Sequence, residues 1–376
     1  MNVLPIIDPI SSYPAPQRVP RSVRFGIVDA RSSPPCGLAR FTADLADALS
    51  VDGASVRWMG DGPGPYGELD VVIVQYDDSA TGEDVIDIVE GLSVPTIVVV
   101  HTIPKLPTAQ QRSALEAITA AADHVVVMSA SARQRLYLTY AVDRRKITTI
   151  PHGATLPTIP RVKRPSRPTI LTWGLLRPGN GIERVIDAMP SLADVAGRPR
   201  YVVAGPLDPT IPVAEAEAYR DALLDRASRL GVSGSVSIDH RYFEKAMLAE
   251  LIQQAAVVVL PYDSRDRVSS GVLVDAFANG RPVVTTAFPY ALELLDTGAG
   301  MVVDQDDSVA LATALRQIIT QPRLAGSMAA EVRRRAPEVA WPVVAAAYVE
   351  LTQRLIAATP RADRRFRAAG MTRSRD

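Results

Sequence analysis

Ser269 to Thr286, reading SSGVLVDAFANGRPVVTT, combines residue types that suit an anion-binding helix start, an acidic side chain and a buried strand. Ser269 and Ser270 are helix-capping types, Gly271 lets the backbone approach a ligand, and no proline interrupts Val272 to Ala278. A helix beginning there aims unsatisfied N–H groups and the positive end of its dipole at whatever lies above it. Phosphate can be held that way without a lysine. Asp275 lies close enough to the same end to meet a sugar hydroxyl. Gly280 stops the helix, Pro282 bars its continuation, and Val283 and Val284 begin a strand. An ordinary capped helix packed on a sheet is the other reading of these residues.

His101 ends the apolar run Thr96 to Val100 and precedes the break Thr102-Ile103-Pro104. Open α/β sheets place functional groups at the carboxyl ends of parallel strands, so His101 faces a cleft or merely caps its strand. Cys36-Gly37-Leu38 follows the first strand and opens the first helix, at the crevice where such sheets bind ligands. Cys36 reads as a small buried residue rather than a nucleophile. Between Gly174 and Gly181 the one cation is Arg177. Gly205, after Val202-Val203-Ala204, and Arg241, after the strand ending at Ile238, lie on the same rim. His124 and His152 read as structural, and His240 sits in a loop. Four histidines and one cysteine, all scattered, offer no metal-ligand spacing.

These groups must be positioned by an alternation of apolar strands and amphipathic helices. Strands are expected at Val23–Asp29, Asp70–Gln75, Thr96–His101, His124–Ser129 and Lys146–Ile150, then Thr169–Trp173, Tyr201–Ala204, Ser235–Ile238, Val257–Leu260, Val283–Thr286 and Met301–Val303. Helices alternate with them, among them Gly37–Leu49, Val213–Leu230, Lys245–Gln254, Ser308–Ile319, Pro322–Arg335 and a last apolar one at Trp341–Ala358. Near-continuous apolar strands separated by helices imply parallel, doubly wound sheets. Residues 1–21 carry five prolines and no periodicity and read as a flexible arm. Leu156 to Pro168 holds four prolines and four basic residues and reads as a linker. Residues 359–376 read as a basic, solvated tail, with peripheral attachment to anionic lipid as the alternative.

At 376 residues the chain exceeds a single core, so two domains are expected. Zero formal net charge and 5% aromatic residues exclude the basic, stacking surface that nucleic acid requires. One cysteine excludes an internal disulfide, and no apolar run is long enough to span a bilayer, so a cytoplasmic protein is expected.

Asp275-Ala276-Phe277-Ala278-Asn279-Gly280-Arg281-Pro282-Val283-Val284 resembles the donor-binding stretch of the GT-B glycosyltransferases of family 4. The family pattern is an acid, seven residues, a second acid, then small residues ending in glycine and a Pro-Val-Val strand. Arg267 stands where the first acid would fall. Gly174 to Glu183 is similar to the family's loop of glycine, arginine, spacer and lysine-glycine, with Leu175 for the arginine and Asn180 for the lysine. Glu293 falls where the family often has a glutamate after a glycine-rich turn, which Ala287-Phe288-Pro289 replaces here. The resemblance runs from about Val23 to Ala358 and rests on the order of many motifs.

The resemblance implies a GT-B fold, two Rossmann-like doubly wound domains facing a cleft, with a C-terminal helix crossing back to the first. The expected units are an acceptor domain over 22–155, a linker over 156–168, a donor domain over 169–336 and the crossing helix over 337–358. It implies a metal-independent, retaining transferase that takes hexose from a GDP- or UDP-hexose to a hydroxyl of a glycan or lipid, with no cofactor. Asp275 would bind ribose hydroxyls, while Ser269, Ser270 and Gly271 would offer backbone N–H groups to the diphosphate, with Val272 beside them on the donor side. His101 would position the sugar and Arg177 would neutralise the leaving group. Gly174, Asn180, Gly205, Arg241 and Arg267 would complete the donor side, and Gly37 and Leu38 the acceptor and phosphate side. Leu175, Asn180 and Arg267 motivate the alternative, a GT-B-shaped protein that senses sugar nucleotides or partners an enzyme without catalysing.

Overall fold

Two runs of alternating strand and helix build two six-stranded parallel sheets. The computed structural model describes residues 22–29, 37–59, 68–78, 82–157 and 165–358. The arm at 1–21, Cys36, most of the linker and the tail at 359–376 lie outside the described residues. The first run comprises β1 (Arg24–Asp29), α1 (Gly37–Val51), β2 (Ser55–Met59), β3 (Val71–Tyr76), α2 (Gly82–Glu90), β4 (Thr96–Val100), α3 (Ala109–Ala121), β5 (His124–Val127), α4 (Ala130–Thr139) and β6 (Ile147–Thr149). Its sheet order is β2-β1-β3-β4-β5-β6. The second comprises β7 (Thr169–Trp173), α5 (Ile182–Ala188), β8 (Arg200–Ala204), α6 (Val213–Arg229), β9 (Val236–Asp239), α7 (Lys245–Gln254), β10 (Val257–Leu260), α8 (Gly271–Ala278), β11 (Val283–Thr286), α9 (Pro289–Leu294) and β12 (Gly300–Val303). Its order is β12-β11-β10-β7-β8-β9. Helices α10 (Ser308–Thr320), α11 (Pro322–Arg335) and α12 (Trp341–Ala358) follow.

β3 and β4 are buried at every position because helices cover both faces of the sheet, which is why they read as unbroken apolar runs. β2 departs from that rule. It lies at the sheet edge with Trp58 half exposed, so SVRWM carries no apolar run, and the sequence reading has no strand there.

Strand order reverses between β1 and β3 in the first sheet and between β7 and β10 in the second. A crevice opens at such switch points, beyond the carboxyl ends of the strands. Gly37 and Gln75 stand at the first, and Gly174 and the start of α8 at the second.

α12 crosses back to the first sheet. Its Trp341, Val344, Ala345, Tyr348, Val349 and Leu351 share one buried cluster with Phe25, Ile27, Phe41, Leu45 and Leu49. The crossing is pinned where Ala154 N–H donates to Val339 O at 2.8 Å and Trp341 N–H donates to Ala154 O at 3.1 Å. Two Rossmann-like domains and a returning helix are the GT-B architecture.

Candidate functional site

On the second domain, α8 begins at Ser270, whose extended backbone and side chain cap it. Ser270 Oγ accepts the Leu273 N–H at 3.2 Å. The first amides of the helix therefore aim into the cleft from a fixed cap. A Cβ on Gly271 would stand 3.0 Å from His152 Nε2, so glycine lets that ring lie against the helix start. Burial pushes His152 down to about 4, hence it packs as a neutral ring, with Nδ1 2.8 Å from Gly153 O. A Cβ on Gly174 would approach the Val272 side chain at 3.7 Å, which puts the Gly174–Gly181 loop beside α8. Gly174 and Gly205 have φ of 124° and 134°, and a Cβ on Gly205 would collide with the Gly174 carbonyl. Only glycine allows these two strand-end loops to touch.

The polar residues of that loop have local partners. Asn180 Nδ2 donates to Leu175 O at 2.7 Å and braces the turn. Arg177 Nη1 donates to the buried Asp208 at 3.2 Å while about half its side chain faces water. Arg241 pairs with Asp239 on the outer, exposed part of the rim. Arg267 stacks 4.0 Å over the Tyr262 ring, and among the described residues no carboxylate pairs with it and its Nε has no hydrogen-bond partner.

On the first domain, Gly37 starts α1 and Leu38 is buried. Phe41 stands at the centre of the wall, with the rings of His101 and His152 each 4.9 Å away and Trp341 at 5.5 Å. His101 Nε2 lies 2.7 Å from Gln75 Oε1. Ser269 Oγ donates to His101 O at 3.1 Å, which joins the sugar-facing candidate to the α8 approach across the cleft.

Charged contacts also cross between the domains. Arg40 Nη2 is 3.1 Å from Asp275 Oδ2, and Lys245 pairs with Asp44. Burial pushes the Asp275 carboxyl up to about 6, opposed by Arg40. Farther along, Ser129 Oγ donates to Val268 O at 2.6 Å and Arg135 Nη1 to Asp266 O at 2.6 Å. Glu293 accepts the Ala130 and Ser131 N–H groups at 2.8 and 2.9 Å, capping α4 from the opposite domain. This carboxylate meets both the unsatisfied amides and the positive dipole end. Glu293→Ala is expected to destabilise the chain by about 1–2 kcal/mol, read as a fall of a few degrees in melting temperature, with Glu293→Gln intermediate. An unchanged melting temperature in Glu293→Ala would refute the cap.

The structure thus brings together His101, Ser269, Ser270, Gly271, Val272, Asp275 and Gly174 and keeps Arg241 apart. Gln75, Arg40, Phe41 and Lys245 join the site without having been singled out by type or spacing. Gln75 carries a signal in hindsight, a single amide near the carboxyl end of the apolar strand VVIVQY. Arg40, on a helix face, carries none. Among the described residues no three His, Cys, Asp or Glu side chains gather to hold a metal ion. Nor is any described helix long and apolar enough to cross a membrane.

Residues 167–321 match the family model Glycosyl transferases group 1. A curated relative, D-inositol 3-phosphate glycosyltransferase of Kineococcus radiotolerans, is 26% identical over 263 residues. The match covers 64% of this chain and 59% of that protein, so the chain spans less than two thirds of the relative's length. Among solved structures, a sucrose-phosphate synthase from Thermosynechococcus elongatus superposes with a TM-score of 0.72 at 18% identity, covering 90% of this chain and 100% of that one. The Anabaena protein HepE, solved in complex with UDP, gives 0.70 at 16% identity, over 89% and 100% of the two chains. The same protein with UDP-glucose gives 0.68 at 15% identity, again over 89% and 100%. At these identities the likeness is one of fold. The family match supports the glycosyltransferase family that the motifs resemble.

Proposed function

We propose that the chain is a retaining glycosyltransferase of family 4 that moves a hexose from a GDP- or UDP-hexose to a hydroxyl on a glycan or lipid, without a bound metal. The observation that carries this reading is the meeting of the capped α8 start with Asp275, Ser269 and His101 at facing switch points. In this reading the α8 amides bind the diphosphate and Asp275 takes ribose hydroxyls. His101, its ring fixed by Gln75 and Phe41, orients the sugar near its anomeric carbon. Electrostatic stabilisation of the departing diphosphate is the main demand of the reaction.

Arg177 shares that charge. Its pairing with Asp208 and its exposure weaken the contribution, so Arg177→Ala is expected to lower turnover about tenfold. A silent Arg177→Ala in an active enzyme would remove it from the site. The whole reading is tested by incubation with a panel of nucleotide sugars and measurement of released nucleoside diphosphate, with melting temperature followed in UDP, GDP and ADP. No release and no shift with any of them would overturn it. A second reading, a GT-B protein that binds sugar nucleotides without transferring sugar, is favoured by Asn180 directing its amide at Leu175. Stabilisation by a nucleotide without any transfer would select it.

A further inference from the structure

Arg40 belongs to the first turn of α1, in the first domain, yet its guanidinium lies on Asp275 of α8, in the second, at 3.1 Å. Its Nε also lies 3.8 Å from Asp44 Oδ2, on its own helix. The Arg40 side chain is 39% exposed and that of Asp275 17%, so the pair bridges the two domains with the arginine on the water side. Lys245 of α7 completes the group by pairing with Asp44 and, at 3.9 Å, with the exposed Asp47, giving two cations against three carboxylates. A cluster with more carboxylates than cations has no excess cation to offer an anion, unless one of its cations changes partner.

A nucleotide donor brings both an anion for the cation and hydroxyls for the carboxylate, which favours that change, and the inference here rests on the donor reading above. Ribose hydroxyls need the Asp275 carboxylate as their acceptor, and there they compete with Arg40, whose Nη2 sits on Oδ2. Asp275 is the fifth residue of α8, about 6 Å along the axis from Gly271, well within the sweep of an arginine side chain. Phe41, adjoining Arg40, packs on His152, which lies against Gly271, so the α1 start and the α8 start lie close to each other. The loop that borders this spot has no compensating cation of its own aimed there. Asn180 is spent on Leu175 O, and Arg177 is drawn to Asp208.

We propose that Arg40 is a diphosphate-binding residue supplied by the first domain: on donor binding it leaves Asp275 to the ribose and turns its fork onto the diphosphate oxygens. A planar guanidinium suits that exchange, since it pairs bidentately with carboxylate and with phosphate alike. The charge of the leaving group is then met by a cation from across the cleft, which arrives only when the two domains face each other.

The test is a binding titration of the parent with UDP, GDP and ADP, then of Arg40→Gln and Arg40→Lys with whichever binds and with the matching nucleoside. Arg40→Gln is expected to weaken the diphosphate about tenfold and to leave the nucleoside unchanged or tighter, because its competitor for Asp275 is gone. Arg40→Lys should recover part of the diphosphate affinity and none of the bidentate geometry. If Arg40→Gln tightens both ligands alike, or changes neither, the proposal is overturned while the nucleotide reading stands. If the parent binds none of the three diphosphates, the nucleotide reading fails and this proposal falls with it. Melting curves of all three proteins without ligand identify a variant that has lost its fold, and Arg40→Lys, which keeps the charge, then decides the matter.

Discussion

Asp275→Ala is expected to weaken nucleoside diphosphate binding about a hundredfold, through loss of the acceptor for two ribose hydroxyls and release of Arg40 from its partner. Asp275→Asn keeps the shape and removes the charge, so it separates the acceptor from its size. The pH dependence gives a second check. Burial holds this carboxyl at about 6, and the groups that face it are Arg40, Asp44 and Lys245. Donor affinity should therefore fall as pH drops through about 6 and the carboxylate takes a proton, and that step should vanish in Asp275→Asn. Stability runs the other way. The folded value lies above the unfolded one of about 3.9, so this group favours the fold most below that and loses its contribution as pH rises through 6. Isothermal titration between pH 5 and 8 measures the first effect, and melting curves over pH 4 to 7 the second. Unchanged affinity in Asp275→Ala would refute the assigned role.

His101→Ala is expected to reduce transfer by roughly two to three orders of magnitude while nucleoside diphosphate affinity changes little. The ring is held from two sides, by Gln75 Oε1 at 2.7 Å and edge-on by Phe41, so its direction is set before substrate arrives. Positioning of that kind acts on turnover. The melting temperature should stay within a few degrees, since Phe41 keeps His152 and Trp341 as neighbours. Gln75→Leu, which removes one of these two contacts, should lose less than His101→Ala. A His101→Ala protein with parental turnover would make the histidine a strand cap and nothing more.

The sheets are largely legible in the sequence because burial on both faces writes itself as runs of valine, isoleucine and leucine. TIVVV and VVVL need no further context. The edge strand SVRWM does not stand out, because only its paired side meets the core. The site is legible where local chemistry decides it. Ser270, Gly271 and Asp275 are set by one helix start, and His101 by the end of one strand. Partners chosen by tertiary approach are not legible. Arg40 meets Asp275 across 235 positions of chain, and Glu293 caps a helix in the other domain. No spacing rule encodes such meetings, because each depends on how two finished domains come to rest against each other. The loop residues Arg177 and Asn180 are legible as polar groups, while their local partners, Asp208 and Leu175 O, emerge only from the turn geometry.

The docking of α12 on the first sheet bears on how the chain is made. Ribosomes deliver the residues of β1 to β6 before those of Trp341 to Leu351, yet these later residues share a buried cluster with Phe25, Phe41 and Leu45. Domains generally fold in the order of synthesis, and here the order cannot be completed. The first domain must wait, with an apolar face of α1 and β1 uncovered, while the whole second domain is translated. A nascent chain halted before Trp341 should bind a chaperone or aggregate, and adding residues 341–358 in trans should relieve it.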